Sequence, residues 1–525
     1  MISRRRLFLV SIVTCCHLGV SHVEAQTFLD NANEILDQWA GRKDDTTSLL
    51  SNHDQAWTIR TTASQLFPAL VLTSWFTNLN LHNGLLLETL RDEQKLTARL
   101  SVFPDDYDLR NDRFVRSSRN PAEILINAAA YADGLSRISS VIGHSPWTNR
   151  LQGIVDALFL QADVTTGYSE GPLPSNDLRV IGRVLKTLPL LSEQFDDEGY
   201  LYYARRIGDA YCVGVMPKNG GLPAERWDYD ADRAKAASLI LDQDGVSFIE
   251  GLISLYSAEI RESTARADVY RPTLSAMFDV LFKQGLKDNG RFYRRIQPDG
   301  RGGYSIDRKR ESPHTVRILL AAHRYGQLSG NATYLERAVT ELSRYTPDPD
   351  GALRDLPSLV SAMAFSRRAV TLVDSIATRV NELPQPPGDE EETTAEYLNA
   401  MLAWAWQQSA GVRAVPWRAD VTVRSSVEAA GLSIALRLGT PWAGRIAPSY
   451  NRSATDILAI GFPDQFSIEP ESTFEIRSSD QSGVSIFPGA MLSQGLRADL
   501  KNSYRFTLIQ REPGPGAPLQ GSIEN

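Results

Sequence analysis

Leu188 to Cys212 reads LPLLSEQFDDEGYLYYARRIGDAYC, and Leu319 to Tyr345 reads LLAAHRYGQLSGNATYLERAVTELSRY. In both stretches a leucine-rich segment reaches a polar turn, and a Tyr-Leu pair then opens a second segment. Apolar residues recur at steps of three and four on both sides of the turn, which predicts two amphipathic helices. Repeated helical hairpins at long spacing are typical of a closed ring or a solenoid.

The hairpin pattern extends well beyond these two copies. Apolar residues at helical spacing continue from about Asp54 to Gln408, with turns rich in proline and glycine between the segments. The pattern predicts roughly a dozen helices, enough for about six hairpins.

The pattern changes after Pro416. Segments such as ADVTVRSSV, GLSIALRLG and SYRFTLIQR alternate apolar and polar residues, which is typical of strands with one buried face. We therefore predict a helical domain over residues 26–416 and a β-sandwich-like domain over residues 417–511. The end of the chain, residues 512–525, is rich in proline and glycine and is predicted to be disordered.

The first 25 residues have the composition of an export signal. A basic run, Ser3-Arg4-Arg5-Arg6, precedes a modestly apolar stretch from Leu7 to Val20. Val23-Glu24-Ala25 then offers small residues before a predicted signal-peptide cleavage site at Gln26. The polar residues inside the apolar stretch argue against a stable membrane span, which needs about 20 apolar residues. We predict a secreted or periplasmic protein whose mature chain has no stable membrane span.

Composition argues against several classes of protein. Three arginines and one glutamate leave with the signal, so the formal net charge falls from −8 to −10. An acidic chain is a poor nonspecific binder of nucleic acid, because neutralising phosphates requires a basic surface. Cys212 is the single cysteine that remains, so no intrachain disulfide is expected. The mature sequence has no zinc, calcium or nucleotide-binding motif, and we predict no metal and no cofactor.

A ring of helical hairpins followed by a β domain, on an exported chain, resembles the α/α-toroid (six-hairpin) carbohydrate-active superfamily. This superfamily includes glycosidases, polysaccharide lyases and sugar epimerases. The resemblance implies a mainly α fold and an enzyme that degrades a polysaccharide or oligosaccharide. The reaction would be glycoside hydrolysis or β-elimination of a uronic-acid polymer. The alternative is a noncatalytic glycan-binding or scaffold protein on the same fold.

The acidic, aromatic loop GGLPAERWDYDADR is the first candidate site. Glycoside hydrolysis needs two carboxylates, one as acid and one as base or nucleophile, and Asp228 and Asp244 are the predicted pair. Trp227 and Tyr229 would bind the sugar, because sugar faces stack on aromatic rings. The alternative is a solvated acidic loop with Trp227 packed at its rim.

The basic stretch RFYRRIQPDGRGGYSIDRKR is the second candidate site. A uronic acid needs cations to neutralise its carboxylate, which Arg301 or Arg310 would supply. His314 and Tyr304 would then serve as base and acid at the C5 proton. A solvated hairpin is the alternative interpretation of the same residues.

The segment TTGYSEGPLPSND is the third candidate. Tyr168 and Glu170 lie in a loop comparable to the one that carries Trp227, so both are predicted to contact substrate. Simple loop packing is the alternative.

Overall fold

A computed structural model describes the helical part over residues 23–52, 54–99, 103–115, 120–348, 351–363, 365–381 and 390–408. Further along the chain it describes residues 412–415, 421–428, 431–448, 473–478, 484–488, 492, 496–511 and 523–524. Most of the predicted export signal, residues 1–22, lies outside the described residues, as do residues 512–522 of the predicted disordered end.

The helices form two concentric layers. The inner layer consists of a π-helical segment Ile59–Leu66 continued by α2 (Phe67–Thr77), then α5 (Pro121–Ile142), α7 (Leu178–Phe195), α10 (Gln243–Arg261), α12 (Thr315–Ser329), α14 (Ala352–Ala362) and α16 (Glu391–Gln408). The outer layer consists of α1 (Val23–Ala40), α4 (Leu87–Thr97), α6 (Pro146–Leu160), α8 (Glu198–Asp209), α11 (Ala265–Gln284), α13 (Ala332–Arg344) and α15 (Arg367–Asn381). Two short helices, α3 (Leu79–Leu81) and α9 (Met216–Lys218), and two further π-helical segments, His82–Leu86 and Ala210–Val215, extend or link these elements.

Each inner helix packs against the inner helices before and after it, and α16 packs against α2, so the inner layer closes into a ring. The predicted toroid is therefore confirmed. The described helices pair into seven hairpins instead of about six, because α1 packs outside α2 and α16 and belongs to the ring. The hairpin pattern thus begins before Asp54, at the first helix.

Short elements at one end of the ring shape its opening. Outer helices alternate with inner ones, so all inner helices run in the same direction, and their N-terminal ends meet at what we call the mouth. Small β elements lie in the loops that lead into inner helices. These are β1 (Ala56–Trp57), β2 (Tyr107–Asp108), β3 (Arg113–Phe114), β4 (Arg226–Asp228), β5 (Arg233–Ala236), β6 (Leu239–Ile240), β7 (Arg295–Pro298) and β8 (Tyr304–Ile306).

Two glycines allow α7 and α10 to pack closely beside the mouth. A Cβ at Gly182 would lie 2.8 Å from the carbonyl oxygen of Asp244, and one at Gly251 would lie 2.8 Å from the backbone nitrogen of Lys186. Real Cβ atoms do not approach other atoms this closely, so any side chain would push the helices apart. The positions of the polar residues on α7 and α10 depend on this packing.

The C-terminal strands form two sheets. Strands β10 (Val421–Glu428), β11 (Gly431–Leu438), β16 (Tyr504–Arg511), β13 (Thr473–Ser478) and β14 (Val484–Pro488) make an antiparallel sheet in that order. The second sheet has the order β17 (Ile523–Glu524), β15 (Leu496–Leu500), β12 (Trp442–Pro448) and β9 (Val412–Val415). Residues of both sheets, including Leu436, Phe506, Ile446 and Leu500, share one hydrophobic cluster.

None of the described helices combines the length and the apolar character that crossing a membrane requires. The buried core of the helical part is a single apolar cluster that runs through both layers of the ring. Burial between the layers therefore accounts for its stability without a disulfide, since Cys212 is buried with a free thiol.

Candidate active site

Polar residues form stripes along otherwise apolar inner helices. Arg179, Arg183 and Lys186 follow one another on α7 at steps of four and three, which places them on one face of the helix. Gln243 and Glu250 lie on one face of α10 in the same way. The α10 face points into the ring, because Gln243 meets Asp133 on α5, which is not a neighbour of α10 in the inner layer. Lys186 on α7 meets the same Asp133, so the α7 face points the same way.

Three of these residues join Asp133 of α5 and Arg317 of α12 in a continuous polar network, which we call the central cluster: Asp133, Lys186, Gln243, Glu250 and Arg317. The Lys186 ammonium lies 3.3 Å from Asp133 and 3.3 Å from Glu250. The Arg317 guanidinium donates to both oxygens of Glu250, at 2.7 Å each, and to the Gln243 carbonyl at 2.5 Å. The Gln243 amide donates to Asp133 at 3.1 Å. Four inner helices are thereby joined inside the ring.

The central cluster holds two carboxylates in the charged state. Burial alone would raise the pKa of Asp133, but Lys186 and three arginines outweigh it and hold that pKa well below its ordinary value. Burial likewise opposes ionisation of Glu250, and Arg317 and Lys186 lower its pKa on balance. Neither carboxylate can act as a proton donor near neutral pH. Their contacts hold the Lys186 and Arg317 heads in place.

Those cations are still reached by water. The Lys186 and Arg317 side chains are 18% and 14% exposed, whereas the Glu250 side chain that they share is 2% exposed. The charged heads therefore lie at the boundary between the packed core of the ring and its open mouth.

His314 lies at the mouth, at the N-terminus of α12. Its backbone N–H donates to Ser312 Oγ at 3.1 Å, while its imidazole has no hydrogen bond to any other described residue. Burial and the cations Arg317, Arg354, Lys186 and Arg183 lower the pKa of His314 to about 2. The imidazole is therefore neutral throughout the physiological range and faces four positive charges.

Asp244 lies beside the same cations. It forms an ion pair with Arg183 from the neighbouring α7, and the two side chains are 20% and 16% exposed. The preceding Asp242 caps α10 by accepting the backbone N–H groups of Asp244 and Gly245. The structure thus brings Asp244 and His314, both predicted from the sequence, to the same part of the mouth, where both face Arg183.

Residues near the starts of α14 and α16 add a further ion pair to the mouth. Arg354 donates to the carbonyl of Pro313 at 3.1 Å, next to His314, and lies 3.7 Å from Glu396. Burial raises the pKa of Glu396 to about 6, although Arg354 opposes the shift. Glu396 is therefore a carboxyl group at the mouth that stays protonated in mildly acidic solution.

The hairpin formed by β4 and β5 holds the predicted Asp228, Trp227 and Tyr229. Asp228 accepts from the backbone N–H of Ala231 and lies 3.2 Å from Lys235, and both interactions lower its pKa. Within the described residues it has no contact with Asp244 or His314. The Trp227 side chain is only 2% exposed, so it presents no ring face to a sugar, and Tyr229 is half-buried against the core. The contacts of Asp228 are with residues of its own hairpin, so its pairing with Asp244 stays a prediction.

The predicted residues of the basic stretch separate into two groups. Tyr304, on β8, donates its hydroxyl hydrogen to the carbonyl of Gly220 at 2.6 Å, and burial raises its pKa. That hydroxyl joins two loops and does not face His314. Arg301 and Arg310 are exposed on the outside of the mouth, and no ion pair to either is found in the described part of the chain.

Tyr168 and Glu170 lie toward the outer layer. The Tyr168 hydroxyl donates to Asp232 at 2.7 Å, its ring packs on the backbone at Gly214, and the Lys218 ammonium lies 5.0 Å from the ring centroid. The backbone carbonyl of Glu170 accepts from Tyr202 of α8 at 2.8 Å. These contacts are the ones expected if the loop that carries Tyr168 and Glu170 serves packing instead of substrate binding.

The loop motifs did not predict the central cluster. Its signal was present in the sequence as single charges inside apolar helices: Asp133 in NAAAYADGL, Lys186 in RVLKTLPLL and Glu250 in VSFIEGLIS. A charge in such a setting is rarely buried without a partner. The positions of the partners depend on ring closure, which the local sequence does not show. Among the described residues, no three His, Cys, Asp or Glu side chains are grouped in a way that could hold a metal ion.

No family model matches the chain, and no curated protein sequence matches it. Solved structures with a similar shape include a cellobiose 2-epimerase from Bacillus thermoamylovorans, at 13% identity, covering 72% of this chain and 98% of that one, with a TM-score of 0.41. An α-1,6-mannanase from Salegentibacter has 10% identity, coverage of 72% and 99%, and a TM-score of 0.40. An unsaturated glucuronyl hydrolase specific for heparin has 9% identity, coverage of 73% and 98%, and a TM-score of 0.41. At these values the likeness concerns shape alone, and the evidence for the ring is the helix packing within this chain.

Proposed function

We propose that this chain is a carbohydrate-active enzyme that binds an acidic sugar at the mouth of the ring and cleaves the bond to the next sugar by β-elimination. The observation that supports the proposal is the His314 imidazole, which has no hydrogen bond to another described residue and whose pKa is lowered by the charges of Arg183, Lys186, Arg317 and Arg354. Arg354 also donates to the carbonyl of the adjacent Pro313. A carboxylate is the ligand that such a group of cations favours.

The backbone at the mouth also favours an anion. Each helix N-terminus carries about half a positive charge, and the inner helices all begin at the mouth. The side-chain cations and the helix ends therefore act in the same direction. A neutral sugar would leave the charges of Arg183 and Arg354 without an additional partner.

Substrate binding would also prepare His314 for proton transfer. A uronate carboxylate placed among the cations neutralises part of their charge, and that charge is one cause of the low pKa of His314. The pKa of the imidazole then rises toward its ordinary value, so it becomes a better base once the anionic substrate is bound. His314 would remove the C5 proton, the electron pair would form the C4–C5 double bond, and the C4–oxygen bond would break. The leaving oxygen takes a proton from an acid at the mouth.

Glu396 suits that acid role and also supports a second candidate, glycoside hydrolysis. Its raised pKa of about 6 keeps a proton available to a leaving oxygen. With Asp244 as the base that activates water, the mouth would supply the two carboxyl groups that this reaction needs. In both reactions the sugar binds at the same place.

Product chemistry separates the two reactions. Elimination from a polyuronate forms an unsaturated sugar that absorbs ultraviolet light, whereas hydrolysis releases reducing ends without that absorbance. We expect His314→Gln to abolish ultraviolet product formation while leaving the melting temperature close to that of the wild type. His144→Gln is the matched control, because His144 is exposed at the turn after α5, at the opposite end of the ring. Activity that survives in His314→Gln would refute the proposed base, and binding of acidic sugars without any product would support the noncatalytic glycan-binding alternative.

The first 22 residues lie outside the described residues, so export rests on the signal-like sequence alone. We propose that the enzyme meets its polysaccharide outside the cytoplasm.

A further inference from the structure

The loops beside the mouth carry an unusual density of exposed positive charge for an acidic chain. Five cations there make no ion pair with any described residue. They are Arg233, Arg301, Arg308, Lys309 and Arg310, which we call the basic rim. Asp299 and Asp307 offset part of this charge, and both also accept backbone N–H groups in their own turns. The basic rim remains net positive on a protein whose total formal charge is −8.

Backbone and side-chain contacts bring the two hairpins of the rim together. Leu239 of β6 pairs with Ile296 of β7, and the Tyr304 hydroxyl reaches Gly220 in the loop before β4. Arg295 adds a 2.9 Å hydrogen bond to Ser238, in the segment after β5. The rim is therefore one surface built from two consecutive loops, and its parts are held by bonds that do not use the five cations.

The same surface is continuous with the mouth. The backbone N–H of Arg294 donates to the carbonyl of Arg310 at 2.9 Å, and the Arg294 side chain lies 3.7 Å from Asp242. Asp242 is the cap of α10 and lies two residues before Asp244. A chain that leaves the mouth on this side therefore passes over the basic rim.

We propose that the basic rim binds the part of a linear polyuronate that extends beyond the mouth. This inference rests on the proposed function for the class of substrate and adds a second region of contact. Charge complementarity supports it, because regularly spaced carboxylates meet cations that make no ion pair with any described residue. Exposed cations of this kind contribute mainly long-range attraction, so their effect depends on chain length and on salt.

The test compares a long polyuronate with its disaccharide, using the full mature chain. The variant is Arg301→Ala/Arg308→Ala/Arg310→Ala, and the matched control is Arg91→Ala/Lys283→Ala, two exposed cations on outer helices. We expect the rim variant to weaken binding of the polymer about tenfold at low salt, because three exposed ion pairs of ordinary strength together amount to about that factor. Binding of the disaccharide, and both affinities of the control, should not change. High salt should remove the difference for the polymer.

Other results would overturn the inference. An equal loss for the polymer and the disaccharide would mean that the rim acts on the mouth itself, and no loss would mean that it does not contact the sugar. Competition by single-stranded DNA as strong as that by the polyuronate would identify a nonspecific polyanion surface. Failure of the proposed function is recognised separately, since His314→Gln tests turnover while the rim variant tests binding of the long chain.

Discussion

The pairing of Glu250 with Arg317 and Lys186 predicts a large loss of stability when the charge of Glu250 is removed. Glu250 is 1% exposed and accepts two hydrogen bonds from Arg317 at 2.7 Å, with Lys186 at 3.3 Å. Glu250→Gln keeps the size of the side chain but leaves Arg317 and Lys186 short of a buried anion. Breaking a buried ion pair from one side costs about 3 to 5 kcal/mol. We expect the free energy of unfolding to fall by that amount in urea titrations.

Glu259 provides the comparison on the same helix. It is fully buried and accepts from Arg205 of α8 at 2.7 Å, but it faces the outer layer. Glu259→Gln should therefore destabilise the ring to a similar degree while leaving kcat for a polyuronate close to that of the wild type. Glu250→Gln should also reduce kcat, because Arg317 and Lys186 lose their fixed positions beside His314. A loss below about 1 kcal/mol for Glu250→Gln would refute the reasoning, since that is the range of exposed pairs.

Three further predictions follow from other parts of the ring. Burial raises the pKa of Asp355 from 3.8 to about 6, so the native state binds more protons than the unfolded state between these values. The wild type therefore loses stability as pH rises through this range. Relative to the wild type, Asp355→Asn should gain up to about 3 kcal/mol in unfolding titrations between pH 4 and 7. Gly251→Ala should cost about 1 to 3 kcal/mol of stability, because its Cβ would lie 2.8 Å from the backbone nitrogen of Lys186. Gly153→Ala in α6, where a Cβ has nothing within 4 Å, should stabilise the protein by about 1 kcal/mol in the same titration. If Glu396 is the acid, kcat/KM should fall as pH rises through about 6, and a profile of Glu396→Gln that keeps this fall would exclude the role.

Architecture was largely predictable from the sequence, because each hairpin carries its own apolar periodicity. Leu188 to Cys212 and Leu319 to Tyr345 form hairpins as expected, α7 with α8 and α12 with α13. The extra hairpin could not be counted locally. Whether α1 belongs to the ring is decided by its packing on α16, more than 350 residues away, as the contact between Asn31 and Tyr397 (366 residues apart) shows.

The candidate site was predictable only in part, for a different physical reason. His314 and Asp244 lie at helix starts that follow highly charged loops, and both lie at the mouth. Asp228 and Trp227 are also residue types suited to a sugar site. The β4–β5 hairpin, however, pairs Asp228 with Lys235 and buries Trp227. Residue type therefore identified candidates, while the backbone path of each loop decided which of them reach the mouth.

Closure of the ring by α16 has a consequence for synthesis. Thr61 donates to Glu391 across 330 residues of chain, and α2 gains its second inner-layer neighbour only when α16 is present. A ribosome-bound chain shorter than about 400 residues therefore has two unmatched apolar edges, and contacts of such long separation form slowly. We expect the nascent protein to depend on chaperones until its last inner helix emerges. Truncations that stop before α16 should accumulate as aggregates.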